Sequence, residues 1–189
     1  MARKPRDQSE GMRHIWCRGN RKQRIFSDDH AFEHYLWLFG EVAVDLEWRA
    51  VAHCLMPNHI HLMIDVPADT IAKGMQVIQG EYAQYVNRRH GYDGHLWRGR
   101  YSAKRVETDS YALHLNRYIV NNPVRARIVE SPAEWKWSSF RAMVGKATPP
   151  PYLDAEWTLG QFARRLERAR ILYEDFVDAG RHLWRPPEP

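Results

Sequence analysis

The sequence has few cysteines and no long apolar run. Its 189 residues include two cysteines, Cys17 and Cys54, whose spacing gives neither a metal-binding nor a redox motif. This usage suits a reducing compartment. No apolar run approaches the roughly 20 residues of a membrane-spanning helix, and the polar start MARKPRDQSE lacks the apolar core of a signal peptide. We therefore expect a cytoplasmic protein with no membrane segment.

Acidic residues are outnumbered by basic ones. The chain has 23 Asp and Glu against 28 Lys and Arg, which gives a formal net charge of +5. A positive field favours a polyanionic partner. The hydrophobic content of 44%, with eight tryptophans, is ample for a core in one domain of ordinary size.

The segment MPNHIHLMI, residues 56–64, combines a β-strand pattern with a metal-ligand pattern. Alternate side chains of a strand face opposite ways, so His59 and His61 share one face, and Ile60 and Leu62 share the other. We expect the apolar face to be buried and both histidines to point away from the core. Imidazole is a common ligand of divalent metals, and this spacing lets two rings reach one ion. Such a pair needs a third ligand.

Hydrophobic spacing along the rest of the chain predicts an α+β fold. The order strand, helix, strand, strand, helix, strand, helix is that of a ferredoxin-like (βαββαβ) antiparallel sheet, with helices on one face and the other face open for a substrate. A C-terminal helical extension carries an apolar stripe over residues 159–176. The predicted strands are 12–18, 47–55, 59–66 and 100–106. The predicted divisions are a flexible basic arm (1–11), a main domain (12–145), a proline-rich linker (146–154), and a C-terminal helix and tail (155–189).

A third helix should begin after Thr108 or Asp109. It must end at Asn122, because Pro123 disfavours helical conformation in the residue before it. Tyr118 and Asn122 are one turn apart, so a phenol and a carboxamide are presented to the same spot. If this helix lies near the exposed end of the histidine strand, these groups would converge with the two imidazoles.

Two basic segments, residues 18–24 and 88–105, are predicted to contact phosphates. Trp97 lies in the second segment, and an aromatic ring there can stack on an unpaired base for about 1–3 kcal/mol. A solvated basic surface is the alternative for both segments, and burial against the second helix is the alternative for Trp97. The candidate DNA contacts are Arg18, Asn20, Arg21, Lys22, Arg24, Arg88, Arg89, Trp97, Arg98, Arg100, Lys104, Arg105 and Arg125.

Five segments together carry a family resemblance. They are RGNRKQRIF (18–26), CLMPNHIHLMI (54–64), LWRGRY (96–101), YIVNNPVRA (118–126) and WKWSS (135–139). In this order and spacing they resemble the REP-associated tyrosine transposases, which belong to the HUH superfamily of single-tyrosine transposases. The resemblance covers about residues 12–145. It implies an HUH endonuclease fold, a divalent ion (Mg²⁺ or Mn²⁺), and cleavage and rejoining of single-stranded DNA at hairpin-forming repeats.

The resemblance also implies residue roles. His59 and His61 match the metal-binding pair, Tyr118 matches the nucleophile, and Asn122 matches a residue that supplies or supports the third ligand. Asn122 could instead cap its own helix end. Attack by the tyrosine would leave a 5′-phosphotyrosine and a free 3′-hydroxyl, and one phosphoester would replace another without a nucleotide cofactor. The resemblance leaves His114 without a role, and we expect it to be structural or DNA-facing.

Two other functions stay open at this point. A catalytically idle nucleic-acid-binding module of RRM-like shape would use the same histidines and tyrosines to contact bases, and its binding would not depend on metal. A replication-initiator or relaxase nickase shares the HUH chemistry, and the lack of an attached helicase disfavours it. The expected partner is single-stranded DNA with a REP-like hairpin. The protein would act as a monomer or homodimer in the cytoplasm, associated with the nucleoid.

Overall fold

The computed structural model describes residues 7–181, in which one antiparallel sheet has four strands. The strands are β1 (Gly11–Arg18), β2 (Arg49–Met56), β3 (His59–Val66) and β4 (Ser102–Arg105), in the spatial order β2-β3-β1-β4. Every neighbouring pair is antiparallel. The predicted ferredoxin-like α+β class is confirmed. Those parts of the predicted arm and tail that fall at 1–6 and 182–189 lie outside the described residues.

Helices α1 (Asp29–Asp45) and α2 (Ile71–His90) pack on one face of the sheet. Asp28 caps α1 as predicted, because its carboxylate accepts a hydrogen bond from the Ala31 amide at 3.0 Å. Helix α2 ends at His90 and is followed by Gly91, whose φ of 64° is a left-handed conformation that glycine adopts without strain. β2 begins at Arg49 rather than Glu47, because Glu47 has a φ of 55° and belongs to the preceding turn. The apolar side chains that join this face to the helices include Ile15, Leu55, Ile60, Leu62, Ile64, Phe39, Tyr35, Met75, Ile78 and Tyr82.

Helix α3 (Asp109–Val120) lies on the opposite face of the sheet, which the prediction left open. Leu115 and Ile119 pack there against Ala52, Cys54 and Met63 in a second hydrophobic cluster. The reason is that β2 is apolar on both faces, and a strand of that kind needs cover on both sides. A cavity near the start of β3 stays accessible on this face.

Asn121 separates α3 from a second, short helix. α3 ends at Val120, two residues before the predicted end, and α4 (Asn122–Arg125) follows with Pro123 in its first turn. Proline is tolerated there because the first turn of a helix has no partner for its amide in any case. The predicted continuous helix over 159–176 is wrong. It is interrupted after Gly160, a residue of low helix propensity.

Shorter elements complete the described chain. Short 3₁₀ turns lie at Asn20–Lys22 and Pro132–Glu134, and the remaining helices are α5 (Phe140–Met143), α6 (Ala155–Gly160) and α7 (Leu166–Ala179). Within the predicted linker, the Tyr152 carbonyl accepts from the Ala50 amide of β2 at 2.8 Å. No helix within residues 7–181 is long and apolar enough to cross a membrane.

Helix α7 is tied to α3 by buried polar contacts. The Tyr173 hydroxyl donates to Oδ1 of Asn116 at 2.7 Å, and the Asn116 amide donates to the Val51 carbonyl at 3.1 Å. Nδ2 of Asn121 donates to the Val177 carbonyl at 2.9 Å. The C-terminal extension therefore fixes the helix that carries Tyr118 against the sheet.

Candidate active site

β3, α3 and α4 bring four predicted site residues to one cavity of about 210 Å³. His59, His61, Tyr118 and Asn122 all line it. The ring centroids of His61 and Tyr118 are 5.6 Å apart, with the planes at 82°. Those of His59 and His61 are 5.2 Å apart and perpendicular. Two imidazoles, a phenol and a carboxamide therefore face the same small space. A larger cavity of about 480 Å³ shares none of these residues.

Burial keeps both histidines of the pair uncharged. Desolvation, followed by the positive charge of Arg18, lowers the pKa of His59 to about 4. Desolvation also holds the pKa of His61 well below its ordinary value, and charges on His14, His59 and Arg18 act in the same direction. At neutral pH both rings are neutral, which is the form that binds a metal ion.

The two histidines differ in burial. His61 is only 6% exposed, whereas His59, the first residue of β3, is half-buried. The expectation that both point away from the core is therefore wrong for His61. Its face of β3 continues into Met63 and the second hydrophobic cluster.

Each histidine of the pair has a hydrogen-bonding partner at Nδ1. Nδ1 of His59 lies 2.6 Å from Oδ1 of Asn58, and Nδ1 of His61 lies 3.0 Å from Nε2 of His14. His14 is a site residue that the sequence reasoning missed. The signal was present, because alternation along β1 places His14 on the same face as Trp16 and Arg18.

Asn122 caps the end of α3. Its Nδ2 donates to the carbonyls of Tyr118 at 2.9 Å and Ile119 at 3.3 Å. The capping role that was the alternative for this residue is thus present. The carboxamide oxygen is the atom with metal-binding chemistry, so the two roles use different atoms of one side chain.

The candidate metal ligands that line the cavity are His59, His61 and Asn122. Within residues 7–181 no group of three or more His, Cys, Asp or Glu residues is arranged to hold a metal ion. Two neutral imidazoles and a carboxamide line one cavity, and the chemistry of this donor set suits a divalent ion, which these three side chains would hold.

The two predicted basic segments lie side by side next to this cavity. The Asn20 amide donates to the Leu96 carbonyl at 2.8 Å, and the Arg98 amide donates to the Arg18 carbonyl at 3.0 Å. A second cavity of about 240 Å³ is lined by Trp16, Arg18, Arg98 and Arg100, and shares Trp16 and Arg18 with the first. We call the two joined cavities the basic groove. Arg125 lines its other end, beside Tyr118.

Trp97 does not line either part of the basic groove. Its side chain is 9% exposed and belongs to the main core, where its indole Nε1 donates to the Gln79 carbonyl of α2 at 2.9 Å. This burial contradicts the predicted stacking role. Trp16, whose indole is half-buried, is the tryptophan that lines the groove. Its ring centroid lies 4.7 Å from that of His14.

Several predicted DNA contacts are engaged within the protein. The Arg89 guanidinium binds Asp28 at 3.1 and 2.6 Å, and Arg88 donates to Gln84 at 2.9 Å. Arg105 donates to the Ser9 hydroxyl at 2.7 Å. The Lys104 ammonium lies 5.3 Å from the Tyr111 ring centroid. None of these four lines the basic groove. Arg21, Lys22 and Arg24 are exposed in the loop after β1.

His114 lies on the α7 side of the third helix. Its Nδ1 is 3.0 Å from Nη2 of Arg117, whose guanidinium carbon is 4.4 Å from the Phe176 ring centroid. The side chain therefore contributes to the contact between α3 and α7.

Comparison with known proteins confirms the resemblance. The sequence profile of the IS200-like transposases matches residues 8–122, which include the histidine pair, Tyr118 and Asn122. A Haemophilus influenzae protein named as a REP-associated tyrosine transposase is 29% identical over 105 residues, which are 49% of this chain and 59% of that relative. The match thus spans less than two thirds of the relative's length.

A solved structure of a REP-associated tyrosine transposase bound to a REP hairpin shares the fold. It superimposes with a TM-score of 0.64 at 19% identity and covers 77% of this chain and 87% of that one. Because the family profile covers more than half of the sequence and includes the residues that line the cavity, the chain belongs to the IS200-like transposase family.

Proposed function

We propose that this protein cleaves and rejoins single-stranded DNA at REP-like hairpin repeats, with Tyr118 as the nucleophile. The observation that carries the proposal is the position of the Tyr118 ring, 5.6 Å from that of His61 in the cavity that His59 and Asn122 also line. Tyr118 is 8% exposed and belongs to the second hydrophobic cluster, so the core holds its ring while the side chain also lines the cavity. Family membership supports the same chemistry.

His59, His61 and Asn122 would hold a divalent ion. Such an ion would polarise the scissile phosphate and withdraw its negative charge from the path of the attacking oxygen. Imidazole nitrogens are softer donors than Mg²⁺ prefers, so we expect Mn²⁺ to bind more tightly than Mg²⁺.

The phenol oxygen of Tyr118 would attack the phosphorus. The phenol loses its proton as its oxygen forms a bond to phosphorus, the bond to the 3′-oxygen breaks, and the 3′-oxygen takes up one proton and leaves as a hydroxyl, so the number of protons is unchanged. The product is a 5′-phosphotyrosine, and a second 3′-hydroxyl can reverse the step because the number of phosphoester bonds is unchanged. The Arg125 guanidinium places positive charge at the cavity, where charge on the phosphate develops.

The basic groove would carry the single strand to the nucleophile. Arg18, Arg98 and Arg100 line it, and Trp16 offers a ring face between its two cavities. The exposed loop of Arg21, Lys22 and Arg24 adjoins it and would contact the hairpin. The solved relative bound to a REP hairpin supports this class of partner.

One chain supplies all four groups of the cavity. His59 and His61 come from β3, and Tyr118 and Asn122 from α3 and α4 of the same chain, where α7 holds α3 in place. We therefore propose that a monomer is competent for cleavage.

The test uses single-stranded oligonucleotides from palindromes that flank the protein's own gene. With Mn²⁺ or Mg²⁺, denaturing gels should show a covalent protein–DNA adduct, and mass spectrometry should place it on Tyr118. Tyr118→Phe should bind the hairpin but form no adduct, because only the nucleophilic oxygen is removed. Hairpin binding without any cleavage in Mn²⁺ would favour the idle binding module, and cleavage by Tyr118→Phe would disprove the assignment of the nucleophile.

A further inference from the structure

The histidine pair is held by two side chains that would not themselves contact an ion. Nδ1 of His59 is 2.6 Å from Asn58, and Nδ1 of His61 is 3.0 Å from His14. In both rings Nδ1 is therefore engaged with a protein neighbour. Nε2 is the ring nitrogen that stays available to a ligand in the cavity.

We propose that His14 and Asn58 are positioning residues, which fix the tautomer and ring orientation of His61 and His59 so that both present an Nε2 lone pair to the ion. This inference rests on the metal site of the proposed function. Partners of this kind around a ligating histidine typically affect metal affinity tenfold to hundredfold.

The chemistry of the His14–His61 contact allows one productive arrangement. Two neutral imidazoles share one proton across the 3.0 Å contact between Nε2 of His14 and Nδ1 of His61. If His14 donated that proton, His61 would carry its own on Nε2 and would have no lone pair for the cavity. A ligating His61 must therefore donate from Nδ1, and His14 must accept at Nε2 and carry its own proton on Nδ1.

The position of His14 suits this role. It is 5% exposed on β1, opposite Met63 of β3, and its ring is tilted by 38° to that of Trp16 with the centroids 4.7 Å apart. Both neighbours limit rotation of the ring. A ring held in this way can hold its partner at a fixed angle, which a mobile surface histidine could not do.

Asn58 connects His59 to the exposed loop after β1. Its Oδ1 accepts from His59, while its Nδ2 donates to the Lys22 carbonyl at 3.1 Å. An asparagine side chain has one acceptor and one donor end, and both are used here. The loop that we propose to contact the hairpin is thus joined to the metal-binding pair through one side chain.

Binding of Mn²⁺ to the DNA-free, full-length protein, measured by titration calorimetry, tests the inference. His14→Phe keeps the ring shape but removes the acceptor, and we expect it to weaken Mn²⁺ binding at least tenfold. His14→Gln places an amide oxygen near the lost Nε2 and should recover most of that affinity. His53→Phe is the matched control, because His53 is also a buried strand histidine but lines the other cavity. It should bind Mn²⁺ like the wild type.

Asn58 is tested by a second pair of variants. Asn58→Asp keeps an acceptor for His59, loses the donor to Lys22 and adds a negative charge beside the histidine pair, so it should bind Mn²⁺ at least as tightly as the wild type. Asn58→Leu loses both and should weaken binding at least tenfold. Equal binding by these two variants would remove Asn58 from the inference.

The outcomes separate this inference from the proposed function. If His61→Ala binds Mn²⁺ as tightly as the wild type, the metal site itself is wrong. If His61→Ala loses binding while His14→Phe retains it, only the positioning role fails. Long-range ¹H–¹⁵N spectra of the histidine rings in the metal-free wild type give an independent reading. They should show His61 protonated at Nδ1, and protonation at Nε2 would overturn the inference without any variant.

Discussion

The guanidinium carbon of Arg125 lies 5.3 Å from the ring centroid of Tyr118. The two residues belong to different helices, α4 and α3, which are separated by Asn121, and both side chains line one cavity. The Arg125 guanidinium thus places a positive charge beside the proposed nucleophile.

We expect Arg125→Gln to slow cleavage strongly while weakening hairpin binding only slightly. Loss of one preorganised charge at a reacting group typically costs about 10²–10³ in rate. Arg125→Lys should retain part of the activity, because the charge is kept but the planar guanidinium is lost. Single-turnover cleavage in Mn²⁺ measures the effect. Arg127→Gln, an exposed arginine outside the cavity, is the control, and equal rates for Arg125→Gln and Arg127→Gln would contradict the role.

The two histidines of the pair should contribute differently to the free energy of unfolding. His61→Ala removes a buried ring and leaves His14 without its partner, so we expect it to lower the free energy of unfolding by about 2 kcal/mol. His59→Ala removes a half-buried ring and should cost clearly less. Both should lose Mn²⁺ binding and cleavage. Urea unfolding without metal tests this, and equal destabilisation by the two variants would show that His61 is not part of the packed interior.

The sequence predicted those features that depend on local spacing. Alternation along β3 separated the histidine face from the apolar face, and the four-residue interval between Tyr118 and Asn122 placed both at one site. The same alternation on β1 predicts which face of the sheet His14 lies on. A single histidine in a short strand, however, does not indicate that it contacts His61, 47 residues away.

Other features depend on contacts between distant segments. Arg89 binds Asp28 across 61 residues, and nothing in either local sequence distinguishes that arginine from one that faces solvent. The position of α3 on the second face follows from apolar residues on both sides of β2, which residues 49–56 contain but which an alternating pattern alone does not reveal. Burial of Trp97 likewise depends on α2, which lies beneath its loop.

Trp16 and Trp97 should respond oppositely to the same substitution. Trp97→Leu removes a core ring and its hydrogen bond to Gln79, so it should destabilise the protein by about 2–4 kcal/mol. Trp16→Leu should have a smaller effect on stability and weaken binding of a single-stranded DNA foot by about 1–3 kcal/mol. Thermal melting and fluorescence-anisotropy titrations distinguish the two. A Trp97→Leu protein that melts like the wild type would place Trp97 at the surface.

The salt dependence of DNA binding should identify the arginines of the basic groove. Each phosphate contact contributes about 0.7 to the slope of log affinity against log salt on single strands. Arg98→Ala and Arg100→Ala should each flatten the slope by about that amount. Arg89→Ala is the control, because its guanidinium is already bound by Asp28. A flattening by Arg89→Ala as large as that of Arg98→Ala would place the DNA along α2 instead of the groove.

His53 should make stability depend on pH. Burial lowers its pKa from the ordinary 6.5 to about 4. The unfolded chain therefore takes up a proton at this side chain at higher pH than the folded protein does. As the pH falls from 6.5 towards 4, unfolding becomes more favourable, and at most about 3 kcal/mol of stability present above pH 6.5 is lost.

His53→Leu removes this titration together with a buried Nδ1 that has no hydrogen-bonding partner in the described chain. The variant should lose less stability than the wild type between pH 7 and about 4.5, because the other buried histidines titrate in both proteins and cancel in the comparison. Urea unfolding at a series of pH values measures the difference. Since His53 lies outside the basic groove, cleavage at neutral pH should be unchanged. Parallel pH profiles for the two proteins would show that His53 takes up its proton equally in the folded and unfolded states.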